Sequence, residues 1–253
     1  MTDKQVFELA YDYLANLLGD AERLESILNT GETNLPKTLN DIYHRLVSSA
    51  QNREMTPTMI GASMGGITRL GGVIFDFDPH RTLQYYGADD DRLLDDIIQQ
   101  LNPKGEIHRS PRSKWVVFCK AVLSSAAFLA QFESADGFYS WCNFFDQDER
   151  ARLALPLLIS EEIDGLGFGL ACDFIKELGY VNFGKPDAHI TEIFHALKLS
   201  PDDKPTSIFR AIQQMSKAVG YSPFAVDKLF WLIGSDMLDV GASREAFIQL
   251  AQK

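Results

Sequence analysis

Two short stretches of this 253-residue chain carry residue types and spacings that could do chemistry. The first is Ile163-Asp164-Gly165-Leu166-Gly167-Phe168-Gly169-Leu170-Ala171. Two glycines two apart, flanked by apolar residues, predict a tight turn between helices, where positive φ and close backbone approach are needed. The amides opening the next helix, around Gly167 to Gly169, have no intrahelical partners. With the helix dipole they favour an anionic oxygen such as a nucleic-acid phosphate. The same turn also serves as a plain helix–helix joint. The second stretch is Lys185-Pro186-Asp187-Ala188-His189-Ile190. Asp187 stands at the start of a helix, where a carboxylate can cap it. A carboxylate fixed there can also stabilise a developing positive charge or deprotonate a water.

The elements that position these residues read as helices. Val6, Ala10, Leu14, Leu17 and Leu18 recur at helical spacing, as do Leu39, Ile42, Tyr43, Leu46 and Val47, which predicts helices over 4–28 and 38–51. Residues 55–72 are glycine-rich and read as loop or broken helix, and Val73 to Phe77 as extended. Asp89 to Asp91 cap a helix over 92–102 that Pro103 ends. Trp115 to Phe132 is apolar nearly all round, the pattern of a helix at the centre of a core. Further helices are expected over 135–145, 147–162, 168–178, 187–197 and 206–219, with a last one from Ser222-Pro223 through Ile233. The fold class is all-α.

Composition narrows the function. Thirty-five Asp and Glu against 24 Lys and Arg give a net charge of −11, so the chain is no general polyanion binder. Nucleic-acid contact then needs a local basic face. Lys104, Arg109, Arg112, Lys114 and Lys120 form the only dense basic stretch, which serves as a phosphate-binding edge or an ordinary solvated loop. Cys119, Cys142 and Cys172 are too widely spaced for a CxxC motif and too few for a four-cysteine cluster. Buried free thiols in a reducing cytoplasm are expected. No apolar run reaches the ~18–20 residues of a membrane span, and the opening residues lead into an amphipathic pattern and not a signal-peptide core.

Taken together, Ile163-Asp164-Gly165-Leu166-Gly167, Ala171 and Pro186-Asp187-Ala188-His189 resemble the helix-hairpin-helix DNA glycosylase superfamily. There an apolar-Pro-Gly-apolar-Gly hairpin is followed by Ala in the next helix and then by Val/Pro-Asp-x-His. Lys228-Leu229-Phe230-Trp231-Leu232-Ile233-Gly234 is similar to the family's closing core helix. The resemblance covers roughly residues 113–235. It implies a two-lobed fold with an active-site cleft between the lobes. The expected parts are an N-terminal region over 1–112 that supplies the pocket, a hairpin lobe over 113–200, and C-terminal helices over 201–253 that complete the second lobe with the N-terminal ones.

The resemblance makes Asp187 the catalytic residue and implies double-stranded DNA with a modified base as partner, no cofactor, no metal and a monomer. DNA contacts fall to Gly165, Gly167, Phe168, Gly169, Lys185, Arg112 and Lys114. Trp115, Tyr139, Trp141 and Tyr180 become candidates for stacking on a flipped base. His189 is expected to fix the loop through a ring hydrogen bond. Strand-cutting members carry a lysine where this chain has Gly169, so water attack and an abasic product are expected, although Lys176 and Lys185 leave a relocated amine open.

Departures are informative. Asp164 replaces the usual hairpin proline, Leu123 to Phe128 lacks the Gln or Asn that plugs the gap of a flipped base, and no cysteine cluster follows. Alkylated and oxidised purines are the usual targets of relatives. An antiphage subgroup removes glucosylated hydroxymethylcytosine, and Asp76, Asp78 or Asp89 to Asp91 could bond sugar hydroxyls there. Two other readings stand beside this one. A hairpin module could bind DNA without catalysis. Val73-Ile74-Phe75-Asp76-Phe77-Asp78 is similar to the first motif of haloacid dehalogenase phosphatases, with Asp76 as nucleophile and Asp78 as acid. Pro79-His80 follows instead of Gly-Thr, and the strand–helix alternation of a parallel sheet is missing.

Overall fold

A computed structural model describes residues 1–31, 35–51 and 60–253. The described residues are helical and contain no strand, so the chain is all-α. It opens with α1 (Asp3–Leu18) and α2 (Ala21–Asn29). The single helix expected over 4–28 breaks because Gly19 takes a left-handed φ of 69° and Asp20 caps α2 by accepting from the Arg23 amide. Then come α3 (Leu39–Ala50), α4 (Ile60–Ser63) and a 3-10 turn (Ile67–Gly72). Next are α5 (Pro79–Tyr86), α6 (Asp90–Leu101), α7 (Lys114–Leu129) and α8 (Ala135–Gln147). The hairpin helices are α9 (Ala154–Glu162) and α10 (Phe168–Glu177). The chain ends with α11 (Ala188–Ala196), α12 (Pro205–Val219), α13 (Pro223–Ser235) and α14 (Arg244–Ala251).

These helices form two compact units. One comprises residues 1–33 and 175–253, the other 34–174, so a boundary falls inside α10. The expected divisions lay at 112/113 and 200/201, whereas these units divide at 33/34 and 174/175.

The core of the first unit gathers Val6, Phe7, Ala10 and Leu14 of α1, Leu24 and Leu28 of α2, and the apolar stripes of α11, α12, α13 and α14. Phe230 lies edge-on between Phe194 and Phe247, with centroids 5.1 and 6.1 Å away. In the second unit α7 is the central helix. Eleven of its 16 residues are buried, and it packs against α3, α5, α6 and α9. The Tyr43 hydroxyl crosses to it and donates to the Val122 carbonyl at 2.8 Å.

Val73 to Phe77 is not extended. Phe75, Asp76 and Phe77 all take left-handed backbone angles (φ 57°, 54° and 59°), each at a cost of roughly 1–2 kcal/mol. An isolated apolar run has no neighbouring strand to pair with here. It coils instead, which buries Val73, Ile74 and Phe77. Phe77 packs edge-on against Tyr43 and His44, and the Asn40 side-chain amide donates to the Asp76 carbonyl at 3.1 Å. Asp78 caps α5. The strand that a dehalogenase-type nucleophile requires is therefore missing.

Candidate active site and nucleic-acid contacts

The hairpin forms where the glycines predicted it. α9 ends at Glu162, Ile163 and Leu166 are buried, and the Leu166 amide donates to the Ile163 carbonyl at 3.2 Å. Gly165 has φ 77°, a conformation that disfavours any side chain. Gly167 is exposed, and a Cβ there would meet nothing within 4 Å. Its carbonyl accepts the first α10 bond from Ala171 at 3.0 Å, so the Gly169 and Leu170 amides precede the intrahelical ladder. Asp164 is exposed, and its amide donates to Ser124 Oγ of α7 at 3.0 Å. That bond ties the turn to the central helix of its own unit.

The basic stretch meets the hairpin. Arg112, Lys114 and Gly165 line one cavity of about 400 Å³, with Gln51 and Phe118 also in its wall. Arg112 and Lys114 are exposed. Arg109 is not part of this wall; it pairs with Asp95 of α6 at 2.5 Å.

Asp187 lies in the other unit, at the N-cap of α11, and its Oδ1 accepts from the Ile190 amide at 3.0 Å. Among the described residues Oδ2 accepts no hydrogen bond, and the residue is half-buried. The loop ahead of it is pinned. The Val181 carbonyl accepts from the Phe224 amide at 3.0 Å, and the Asn182 carbonyl from Gln213 Nε2 at 2.6 Å. The Lys185 amide donates to Asp227 Oδ2 at 2.9 Å. His189 packs against Gly234 of α13 so closely that a Cβ there would sit 2.5 Å from His189 Cβ. The expected ring hydrogen bond is absent at Nδ1, which is buried without a partner among the described residues.

The expected stacking aromatics are taken up in packing. Trp115 is buried edge-on to Phe118, and Trp141 packs among Phe128, Phe132, Phe138 and Phe145. The Tyr139 hydroxyl donates to the Pro36 carbonyl at 2.9 Å, and burial pushes its pKa up to about 12. Tyr180 is buried edge-on to Phe183. None of the four lines the cavity beside the hairpin. Asp78 and Asp89 each cap a helix. The three cysteines are free and buried.

Sequence reasoning passed over Asp227. It lies in Pro223-Phe224-Ala225-Val226-Asp227-Lys228-Leu229-Phe230, and a lone carboxylate on the apolar face of a core helix is the signal that could have found it.

No family model matches the sequence, and no curated protein matches it either. Among solved structures, the Methanocaldococcus jannaschii 8-oxoguanine glycosylase/lyase, in complex with a 15mer DNA containing 8-oxoguanine, is similar with a TM-score of 0.56. The match covers 90% of this chain and 96% of that one at 12% identity. At that identity the likeness speaks for architecture alone: the chain shares its all-α fold with that structure, as the fold class expected from the sequence requires.

Proposed function

We propose that the protein is a monofunctional DNA glycosylase that excises a modified base and leaves an abasic site. The observation that carries this reading is the half-buried Asp187 carboxylate, with one oxygen capping α11 and the other accepting no hydrogen bond among the described residues, in a chain whose fold is similar to that of a glycosylase. As the C1′–N bond breaks, its electron pair leaves with the base and positive charge develops on the deoxyribose. A fixed carboxylate stabilises that charge and takes the proton of the attacking water, whose oxygen becomes the anomeric hydroxyl. On this reading the amides opening α10 hold a backbone phosphate and Arg112 and Lys114 of the same unit add positive charge beside it, while Lys185 is a further candidate phosphate contact. Opening the duplex costs a few kcal/mol, which these contacts must offset.

Two residues support water as the nucleophile. Gly169 offers no amine where strand-cutting relatives carry one. The Lys176 ammonium is held against the Asp227 carboxylate, and a paired ammonium is a poor nucleophile. The substrate classes in view are oxidised or alkylated purines, in repair, and glucosylated hydroxymethylcytosine, in defence against phage. A monomer in the reducing cytoplasm fits three buried free thiols.

A second reading, a hairpin module that binds DNA without cutting it, draws on the same bond from Ile190 to Asp187, since capping alone explains it. Asp187→Asn separates the two. Asn still caps the helix, so folding and DNA affinity should hold while base release falls by ~10²–10³-fold. The measurement is mass spectrometry of bases released from DNAs bearing oxidised, alkylated or glucosylated bases. DNA binding without release from any of them by the wild-type protein would favour the binding module.

A further inference from the structure

Asp227 is a carboxylate that the proposed reaction does not use. Its side chain is only 2% exposed, amid the buried Ala225, Val226, Leu229 and Phe230 of α13. An ionised carboxylate in such surroundings costs several kcal/mol unless it is paired and hydrogen-bonded. Here one oxygen, Oδ2, takes both bonds: from Lys176 Nζ of α10 and from the Lys185 main-chain amide. Lys176 is itself only 12% exposed, and its ammonium lies 5.5 Å from the Phe224 ring centroid. Burial pushes the Asp227 carboxyl upward, the Lys176 charge and the Lys185 amide oppose this, and the negative charge of Asp187 adds to the rise, so the two carboxylates feel each other.

The bonds then lead on to Asp187. The Lys185 carbonyl accepts from the Asp187 amide at 2.9 Å, and Asp187 in turn caps α11. The preceding Gly184 lies so tightly on α12 and α13 that a Cβ would stand 2.8 Å from Ile212 Cγ2 and 3.1 Å from the Pro223 carbonyl. Among these anchors of the 181–187 loop, the buried charge pair is the one with the strongest directional preference.

We propose that Asp227, charged and oriented by Lys176, is a positioning residue: through the Lys185 amide it sets where the Asp187 carboxylate stands. This rests on the glycosylase reading of Asp187. Replacing a buried ion pair by a hydrophobic pair of similar volume is often neutral or stabilising, so stability alone does not account for this pair and placement does.

Removing one partner alone strands a buried charge, so the test uses paired variants. Lys176→Met with Asp227→Leu removes the pair and with it the carboxylate oxygen to which the Lys185 amide donates. Lys176→Met with Asp227→Asn removes the charges but keeps an acceptor oxygen. With the Leu pair, single-turnover base release should fall about 30- to 100-fold at nearly unchanged DNA affinity. Hydrogen exchange at the Lys185 and Asp187 amides should rise about 10-fold. With the Asn pair both should return to within a few-fold of wild type. Wild-type release by the Leu pair, or slowed release with both amides still protected, overturns the proposal. If the Leu pair does not fold, Asp227→Glu decides. It keeps the charge but moves the acceptor by a methylene, and unchanged release by that variant also overturns the proposal. If the wild-type protein releases no base from any DNA, the glycosylase reading fails by itself. Equal exchange at Lys185 and Asp187 in the two paired variants would then refute the anchor separately.

Discussion

Gly165 and Gly167 occupy one turn for different physical reasons, and substitution should separate them. Gly165 has φ 77°, so Gly165→Ala forces a Cβ into the left-handed region at a cost of roughly 1–2 kcal/mol. The expected result is a lower unfolding midpoint in urea together with weaker DNA binding, because the turn itself is disturbed. Gly167 has no positive φ and open space where its Cβ would go. Gly167→Ala should leave stability within about 0.5 kcal/mol of wild type. On the proposed reading it should still weaken DNA binding, because a Cβ would stand where a phosphate is proposed to approach the α10 amides. Full affinity in Gly167→Ala would show that the hairpin is only a joint between helices.

At the scale of elements, local signals fixed most helices, and the failures have identifiable causes. Caps were readable: Asp89 starts α6, Asp187 starts α11, and Ser222 with Pro223 starts α13. The all-round apolar pattern of α7 correctly marked the centre of a core. The helix expected over 147–162 is shorter: Pro156 sits in the first turn of α9, where its missing N–H costs nothing, and turns precede it. The coil at 73–77 was misread because an apolar run has the same composition whether it pairs as a strand or folds under two helices. Two short helices, α5 and α14, were not anticipated: each spans 8 residues, too few for a clear period. In the candidate site, Gly165 and Asp187 were legible because each needs a particular residue type at a fixed local position. Asp227 was not, since its partners lie 42 and 51 residues away. The contact of α11 with α13 was equally hidden, and it yields a prediction. Gly234→Ala drives a Cβ to 2.5 Å from His189 Cβ and 2.8 Å from Nδ1. A cost of roughly 1–3 kcal/mol is expected, with slower base release because His189 follows Asp187 by two residues. Gly137→Ala is the contrast. It lies in α8, where the Cβ meets Ser134 Oγ at an ordinary 3.6 Å, and helix propensity predicts stabilisation by about 0.5–1 kcal/mol. Urea midpoints of the two variants should move in opposite directions.

At the scale of the whole molecule the net charge of −11 opposes any polyanion, so the proposed DNA affinity has to come from a local field. The cavity wall supplies one: Arg112 and Lys114 beside Gly165, while Arg109 is occupied by Asp95. Each phosphate neutralised releases counterions, which makes log Kd depend linearly on log salt. If Arg112 and Lys114 each hold a phosphate, Arg112→Ala and Lys114→Ala should each lower the magnitude of that slope by about one, and the double variant by about two. Arg109→Ala should leave the slope unchanged, because its charge is already met. Kd measured by fluorescence anisotropy on one duplex over a series of KCl concentrations reads this out, and the loss should be the same for modified and unmodified duplexes, as phosphate contacts carry no base information. An unchanged slope in the double variant would place the nucleic-acid surface elsewhere on the molecule. A change confined to the modified duplex would assign these two side chains to the base.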